Sequence, residues 1–426
     1  MQEATLENKN SRFKITELGI IFRSLRYKNF RLFFSGQIIS LIGTWMQTIA
    51  MSWLVYRMTN SPLILGMIAF SSQIFAFFLS PFIGVFVDRY NRHRMLIITQ
   101  SLSMLQAFIL FFLASKSLIS VWLIIALSMF LGIVNAIDIP TRQSFIVEMV
   151  ENKKDLANAI ALNSFIFNAA RLIGPSVAGM LIAITGESIC FLINGLSYIA
   201  VIWALTRMQV KLRKTPVQRG DILKDFKEGF SYTFGFLPIK AILFLTAVAS
   251  LTGMSYAVLM PVFAVNIFGG GPQIYGLLMA AIGIGAIAGT LYLASHQSVL
   301  HLANKIWIAS AIFGVSLIVF SFSHVIWFSL LVLLVAGFSM MVQLASSNTI
   351  VQTIVDDNKR GRVMSFYTMC FMGVAPFGGL SSGYLAHTIG APHTLILGGL
   401  FSIAGALLFA AKSKQLKEAL SKVHIA

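Results

Sequence analysis

Twelve long apolar stretches, separated by short polar segments, constrain the fold of this chain more than any other feature. A helix needs about 20 mainly apolar residues to cross the hydrocarbon core of a bilayer, and each stretch reaches that length. The stretches lie near 31–57, 62–87, 95–115, 119–148, 156–185, 188–207, 238–267, 273–296, 303–322, 325–353, 362–388 and 392–411. The sequence therefore predicts an all-α membrane protein with twelve transmembrane helices in two six-helix, pseudo-symmetric bundles.

The distribution of charge supports this interpretation and orients the helices. Only 11% of the residues are charged, whereas a soluble domain has about 25%. The formal net charge of +17 would suggest nucleic acid in a soluble protein. Here the basic residues cluster in alternate connections and in the tails, while the opposite connections contain only Arg57 and Lys116. By the positive-inside rule both termini are cytoplasmic, and the basic residues face anionic lipid rather than nucleic acid.

The polar segments also divide the chain into regions. The first 30 residues lack the short apolar core of a cleaved signal peptide, so the first apolar stretch would direct insertion. Apolar residues such as Leu18, Phe22 and Leu25 recur there at helical spacing, which predicts a helix lying in the membrane interface. The predicted regions are 1–29 (cytoplasmic segment), 30–207 (first bundle), 208–237 (basic solvated linker), 238–411 (second bundle) and 412–426 (cytoplasmic tail).

The connection after the second stretch contains a distinctive motif. A glycine, an aspartate four residues later and a basic cluster follow one another, as Gly84, Asp88, Arg89, Arg92 and Arg94. This loop resembles the signature loop between helices 2 and 3 of the major facilitator superfamily, except that Asn91 stands where glycine is usual. The alternative is a charge cluster that only sets topology.

The resemblance implies a gating latch. In that superfamily the aspartate, here Asp88, caps the N-terminus of a helix in the other bundle, expected to be the eleventh. The basic residues pair with acids on the fourth helix, and Glu148 is the expected partner of Arg89 or Arg92. The corresponding loop of the second half, at 294–297, has lost the Asp-Arg pair, so the latch should be one-sided.

An acidic residue within the fourth apolar stretch is the main candidate for proton coupling. Asp138 must be paired, protonated or in contact with water, because an unpaired charge in the membrane is costly. Arg142 lies one helical turn away, and Arg171 is the other cation inside a span. These three residues form the predicted proton-coupling set. The alternative is a permanent Asp138–Arg142 or Asp138–Arg171 bridge that holds helices together.

Polar residues along the first stretch are candidates for the lining of a cargo cavity. Gln37, Ser40, Thr44 and Gln47 are spaced three and four apart and so share one helix face. Hydrogen bonding between helices is the alternative. Weaker cavity candidates occur on the fourth, seventh and tenth stretches: Asn135, Ser250, Tyr256, Gln343 and Ser347.

The fifth stretch contains a glycine–proline motif. Gly174, Pro175 and Gly179 resemble the proline motif found on helix 5 of exporters in the same superfamily, and they predict a helix bend. Ordinary close packing is the alternative.

Further motifs narrow the resemblance to one subgroup. The segments 43–47, 135–143, 162–164, 170–175 and 360–365 are similar to those of the subgroup that contains the bacterial enterobactin exporter and related siderophore or drug efflux proteins. The resemblance implies a proton-coupled exporter of a small amphipathic molecule in the bacterial inner membrane, working by alternating access. An importer or lysophospholipid flippase on the same fold, and a non-transporting sensor or scaffold, are the alternatives.

No enzymatic chemistry is indicated by the sequence. It contains no nucleophile–base set, no phosphate loop and no metal-ligand spacing, and Cys190 and Cys370 lie inside apolar stretches. We therefore expect no catalytic residue, metal or cofactor. The expected partners are a small-molecule cargo, protons and membrane lipid, and the expected state is a monomer.

Overall fold

Twelve long helices form two sets of six in the computed structural model, which describes residues 22–209, 222–294, 299–355 and 359–412. All twelve have the length and apolar composition needed to cross a membrane, as the sequence predicted, and the described ranges contain no β-strand. The helices are α1 (Lys28–Thr59), α2 (Pro62–Arg89), α3 (Arg92–Ser115), α4 (Val121–Met149), α5 (Leu156–Thr185), α6 (Glu187–Thr206), α7 (Leu237–Ile267), α8 (Pro272–Ala294), α9 (Val299–Ser321), α10 (Ile326–Ile354), α11 (Arg360–Ile389) and α12 (Ala391–Ala411).

The two halves repeat one pattern of helix packing. In the first half, α1 packs on α5 and α6, α3 packs on α4 and α6, and α2 packs on α4. In the second half, α7 packs on α11 and α12, α9 packs on α10 and α12, and α8 packs on α10. Each pair recurs six helices later, so the bundles are pseudo-symmetric. We call the end where the odd-numbered helices begin the basic end, and the opposite end the far end.

Two helices of the second half contain π-helical turns that the sequence analysis did not predict. They span Phe263–Ile267 in α7 and Met369–Gly373 in α11. Each lies close to a proline, Pro261 before the first and Pro376 after the second. Proline removes a backbone donor and disturbs the regular hydrogen-bond ladder, which favours such local turns.

The two halves pack closely at the far end, through the pairs α2–α11 and α5–α8. A Cβ atom added to Gly179 would lie 2.7 Å from the Pro272 carbonyl oxygen and 3.0 Å from the Gly276 Cα. A Cβ added to Gly66 would lie 2.7 Å from the Gly379 carbonyl oxygen. Small residues allow such close backbone approach, which drives helix association where lipid removes the hydrophobic effect. We call these two contacts the glycine seals.

Toward the basic end the halves separate. An added Cβ at Gly283 of α8 would lie 3.1 Å from the Leu172 Cα, so contact persists to this level. Thr290, two turns further along the same face of α8, is exposed, and so is Ser164 on the facing stripe of α5. No extensive packing joins α4 to α10, both of which the structure describes completely. The molecule therefore encloses a cavity that is open at its basic end and closed at its far end.

The segment before α1 is fastened to the loop before α5. Asp155 pairs with Arg23 at 3.1 Å and with Arg26 at 2.5 Å, and it accepts a hydrogen bond from the Tyr27 hydroxyl at 2.7 Å. That hydroxyl, and then the charges of Arg26 and Arg23, keep the pKa of Asp155 below its usual value, against burial that raises it. Because the pKa is lowered on folding, this contribution to stability is present at neutral pH and is lost as the pH falls through the folded-state pKa.

The linker between the halves contains a helix, Ile222–Gly235, where the sequence analysis expected only a solvated connector. Phe230 and Phe234, one turn apart, pack their rings against Phe366 of α11 at 6.1 and 6.0 Å. Glu228 of the same helix pairs with Arg362 of α11 at 2.6 Å. The many charges of the linker concealed this amphipathic pattern.

The linker is also fastened on its first-half side. The Asn29 side-chain amide donates a hydrogen bond to the Gln209 carbonyl at 2.9 Å, and the Gln209 N–H donates to the Asn29 side-chain oxygen at 3.3 Å. Of the predicted interfacial helix, only the end is described, where Arg23–Arg26 form a short 3₁₀ turn. The part before residue 22 lies outside the described residues, as do the middle of the predicted linker at 210–221, the second-half loop at 295–298 and the predicted tail after residue 412.

Candidate functional site

Asp138 lies buried between α3 and α4, within the first half. Its side chain accepts hydrogen bonds from the Thr99 hydroxyl at 2.7 Å and from the Gln100 amide at 2.8 Å. Its second oxygen lies 3.6 Å from an Arg142 guanidinium nitrogen. Two hydrogen bonds and one positive charge all stabilise the ionised form of a carboxylate. Asp138 is therefore tied to α3 by two hydrogen bonds and to Arg142 on its own helix.

Arg171 is separated from this cluster and lies where the two halves meet. The predicted alternative of an Asp138–Arg171 bridge is not formed: a guanidinium nitrogen of Arg171 instead donates to the Tyr256 hydroxyl of α7 at 3.2 Å. The Tyr256 hydroxyl in turn donates to the Met340 sulfur of α10 at 3.7 Å. The Arg171 guanidinium carbon lies 5.7 Å from the centroid of the Trp45 ring of α1, within the range of a cation–π contact. Four helices from both halves thus converge on this one cation.

The stripe on α1 does not line the cavity, contrary to the favoured expectation. Gln37, Ser40 and Gln47 are at most 5% exposed. The Gln47 amide donates to Gln106 of α3 at 3.0 Å and its oxygen accepts from Asn194 of α6 at 2.8 Å. Gln47 therefore joins α1 to two helices of the first half, as the alternative of hydrogen bonding between helices predicts, while Gln37 and Ser40 are buried on the same face. Helical spacing shows that residues share a face but does not show which neighbour that face meets.

The fourth member of the stripe lies at the edge of the same contact. Thr44 donates to the Ser40 carbonyl at 2.9 Å and lies 3.4 Å from the Tyr198 hydroxyl of α6. Thr44 therefore also belongs to the packing of α1 against α6.

A substitution at Gln47 tests the structural role of this stripe. Gln47→Leu should remove the partner of the Gln106 side-chain oxygen and that of the Asn194 side-chain nitrogen, and so lower stability by about 1–3 kcal/mol. It should leave the cargo preference unchanged. Thermal unfolding of the purified protein in detergent measures the first effect, and competition between cargoes measures the second. The matched control is Thr48→Val on the same helix, because Thr48 is exposed and bonds only to the Thr44 carbonyl. A changed cargo preference with unchanged stability would contradict this assignment.

The remaining cavity candidates divide into two groups. Gln343 and Ser347 are at most 1% exposed inside the second half, and Ser250 donates to the Phe371 carbonyl in the π-helical turn of α11. These three do not line the cavity in this state, because each is packed within one half. Tyr256, by contrast, reaches Arg171 across the boundary between the halves. Asn135 on α4 is partly exposed, so its role in the cavity stays a prediction.

The predicted latch is described only in part. An Arg92 guanidinium nitrogen lies 2.7 Å from a Glu148 carboxylate oxygen, which is the pairing expected from the sequence. Asn91, which replaces the usual glycine, accepts a hydrogen bond from the Arg94 N–H at 3.1 Å and so caps α3. The side chains of Asp88 and Arg89, and the surroundings of Gly84, lie outside the described part of the structure. Their roles in the latch stay predictions.

The glycine–proline motif acts through close packing. Helix α5 continues through Pro175 from Leu156 to Thr185. A Cβ on Gly174 would lie 2.5 Å from the Trp45 Cβ of α1, and Gly179 contributes to a glycine seal. The motif therefore positions α5 against one helix of each half. The predicted bend itself stays a prediction.

Sequence reasoning missed the residues that lead to Arg171. Ser164 and Asn168 precede Arg171 by seven and three positions, so the three lie on one face of α5. Ser164 is exposed, whereas Asn168 and Arg171 are partly buried, and the same face ends in the contact with α8. This spacing was visible in the sequence, whereas the proximity of Trp45 and Met340 was not.

Comparison with known proteins matches this sequence to one family. The model of a family described as transmembrane secretion effector matches residues 21–424. A staphyloferrin A transporter of Staphylococcus aureus is 27% identical over 91% of this chain and 97% of its own length. Macrolide efflux protein A of Streptococcus pyogenes is 22% identical over 90% of this chain and 96% of its own length.

Solved structures of similar fold are also membrane transporters. A POT family transporter in complex with 5-aminolevulinic acid has a TM-score of 0.71 and 13% identity, over 91% of this chain and 96% of that one. An inward-facing bacterial homologue of the iron transporter ferroportin has a TM-score of 0.68 and 15% identity, over 92% and 99%. The resemblance drawn from the sequence is confirmed, and the chain belongs to the transmembrane secretion effector family, a group of transporters of the major facilitator superfamily.

Proposed function

We propose that this transporter exports a small amphipathic molecule, a siderophore or a drug-like compound, from the cytoplasm in exchange for protons. The cargo would enter the central cavity from the basic end and leave at the far end. The lysine and arginine residues at the basic end support a cytoplasmic location, in a bacterial cell, for that end and for both termini by the positive-inside rule. The transporter would work as a monomer.

The observation that carries this proposal is the one-sided closure of the cavity. The halves pack closely through the glycine seals at the far end and separate toward the basic end. Two pseudo-symmetric bundles that rock about a central site are the basis of alternating access. A closed far end and an open basic end correspond to one of the two states that such a cycle requires.

Relatives and family support the export direction and the cargo class. The family description refers to secretion, and one relative is named as a macrolide efflux protein. Another is named as a transporter of staphyloferrin A, a siderophore. Both relatives align with almost the whole of this chain, so the resemblance covers both halves and the cavity between them.

Proton coupling is assigned to the Asp138–Arg142 pair. Protonation of Asp138 would remove the charge that holds Arg142 and would turn one carboxylate oxygen from an acceptor into a donor. The α3–α4 contact would then change in step with proton binding, which is how a local charge can bias a two-state element. Asp88 and its basic neighbours, with Arg92 held by Glu148, would latch the basic end when it closes.

A metabolite comparison tests the export of a siderophore. Deletion of the gene should make one compound build up inside the cell and disappear from the medium, only under iron starvation. Mass spectrometry of cell extract and medium, from parent and deletion strains grown with and without iron, measures this difference.

Complementation provides the control, since a plasmid-borne copy should restore the compound to the medium and an empty plasmid should not. An unchanged profile in both media would remove the siderophore and leave drug efflux to be tested by susceptibility. Accumulation in right-side-out cells, driven inward, would contradict export and favour an importer or a lysophospholipid flippase.

A further inference from the structure

The Arg171 guanidinium is a partly buried positive charge without a carboxylate partner among the described residues. Its contacts there are the neutral Tyr256 hydroxyl at 3.2 Å and the Trp45 ring at 5.7 Å. A charged side chain at this depth in a bilayer is costly and is normally paired with an opposite charge or with a ligand. Both of these neighbours of Arg171 are neutral, so neither balances its positive charge.

The sequence shows that the second half cannot supply that charge from within the membrane. Between residues 238 and 411 its only acidic residues are Asp356 and Asp357, in the connection between α10 and α11 at the basic end. In the first half, Asp138 is held by Arg142 and by two hydrogen bonds. Among the described residues, therefore, no carboxylate neutralises Arg171.

The position of Arg171 matches that of a ligand anchor. Arg171 lies on the face of α5 that is exposed at Ser164. Next to Arg171, at Leu172, α8 packs against α5, so Arg171 lies at the inner end of the cavity that opens at the basic end. A guanidinium has five N–H donors in a planar fork. One of them is used by Tyr256. Donors therefore remain for an acceptor that enters from the basic end.

We propose that Arg171 binds an oxyanion of the cargo, a carboxylate or a phosphate, while Trp45, Tyr256 and Met340 contact the apolar part beside it. A planar guanidinium binds such groups through two parallel charge-assisted hydrogen bonds. This inference rests on the proposed transport function and specifies its cargo as an amphipathic anion. Because Tyr256 belongs to the other half, an oxyanion would replace a contact that now joins the halves.

Binding of a matched pair of probes tests the oxyanion site. The purified full-length protein in uncharged detergent would be titrated with 2-naphthoate and with 2-naphthamide, which differ only in the acidic group. Thermal unfolding midpoints report binding, because a ligand of the folded state raises them. We expect stabilisation by the carboxylate and much less by the amide. Arg171→Gln should raise the apparent Kd for 2-naphthoate about 10- to 100-fold, and Arg171→Lys should raise it less.

A control variant and a second pair of probes complete the design. Lys305→Gln removes another cation of the membrane region, one whose ammonium lies 4.7 Å from the Tyr292 ring centroid, and it should keep the full response. Lysophosphatidylglycerol and lysophosphatidylcholine test whether the oxyanion belongs to a lipid headgroup or to a soluble cargo. Stronger binding of lysophosphatidylglycerol than of both lysophosphatidylcholine and 2-naphthoate, dependent on Arg171, would assign the oxyanion to a lipid headgroup.

Two results would overturn the inference. One is equal stabilisation by the carboxylate and the amide, and the other is a response to 2-naphthoate that persists in Arg171→Gln. The thermal unfolding midpoint reports equilibrium binding, so it does not depend on the direction of transport or on coupling to protons. A carboxylate preference that depends on Arg171, in a protein shown to import, would overturn the proposed export and keep the oxyanion site. Proton-driven export of a neutral cargo, unaffected by Arg171→Gln, would keep the proposed export and overturn the oxyanion site.

Discussion

Replacing Gly276 with leucine is expected to abolish transport while the protein still folds and inserts. In the present state a Cβ at Gly276 would lie 2.8 Å from the Pro175 carbonyl oxygen and 3.0 Å from the Gly179 Cα, and both are backbone atoms that cannot move aside cheaply. Overpacking of this kind costs about 1–3 kcal/mol or more. Only the closed far end pays that cost, so the equilibrium should shift toward an open far end by about 5- to 150-fold.

The shift can be measured as a distance between the two halves. Spin labels at Lys116 and His324, exposed in far-end connections of opposite halves, should move apart in Gly276→Leu. The labels would be placed in a protein whose Cys190 and Cys370 have been replaced. Gly398→Leu is the matched control, since a Cβ at Gly398 would have no neighbour within 4 Å. An unchanged distance distribution together with lost transport would show that the seal is not the moving contact.

Replacing Asp138 with asparagine is expected to uncouple transport from the proton gradient. Asparagine keeps the size of the side chain and can still accept a hydrogen bond from Thr99 or Gln100, so the α3–α4 contact should survive. It cannot release a proton, and it leaves Arg142 without its negative partner. We expect gradient-driven accumulation in inverted vesicles to fall at least 100-fold, whereas exchange of labelled for unlabelled cargo continues.

The comparison of accumulation with exchange makes this prediction specific. A purely structural role of Asp138 would reduce both activities together, along with the amount of folded protein. Glu187→Gln serves as the control, because Glu187 also pairs with an arginine, Arg57, at 2.7 Å, but at the far end of the first half. It should leave the ratio of the two activities unchanged. Full gradient-driven accumulation in Asp138→Asn would exclude Asp138 as the proton site.

Features that depend on local pattern were predictable from the sequence, and features that depend on neighbours were not. Apolar length alone predicted the twelve spans. The resemblance of the 84–94 loop to the signature loop implied that Glu148 pairs with Arg89 or Arg92, and Arg92 is the partner in the structure. The stripe of Gln47 was recognised as one polar face, but its neighbours on α3 and α6 are distant in sequence. The same limit applied to Arg171, whose contacts lie on α1 and α7.

The linker helix was missed for a different reason. Its apolar side chains alternate with lysine, aspartate and glutamate residues, so the charged composition dominated the interpretation of 208–237. Contacts with α11 stabilise the helix: the Phe230 ring packs against Phe366, and the Glu228 carboxylate pairs with Arg362. Most helical stability in proteins comes from such packing rather than from intrinsic propensity.

The fastening of the linker at both sides has a mechanical consequence. Gln209 is tied to Asn29 in the first half, and Glu228 to Arg362 in the second, so each half carries its own anchor as it moves. The two attachments do not depend on each other, because neither of them joins one half to the other. A rocking motion of the halves would therefore break neither, and the contacts that it has to change lie in the interface between the halves.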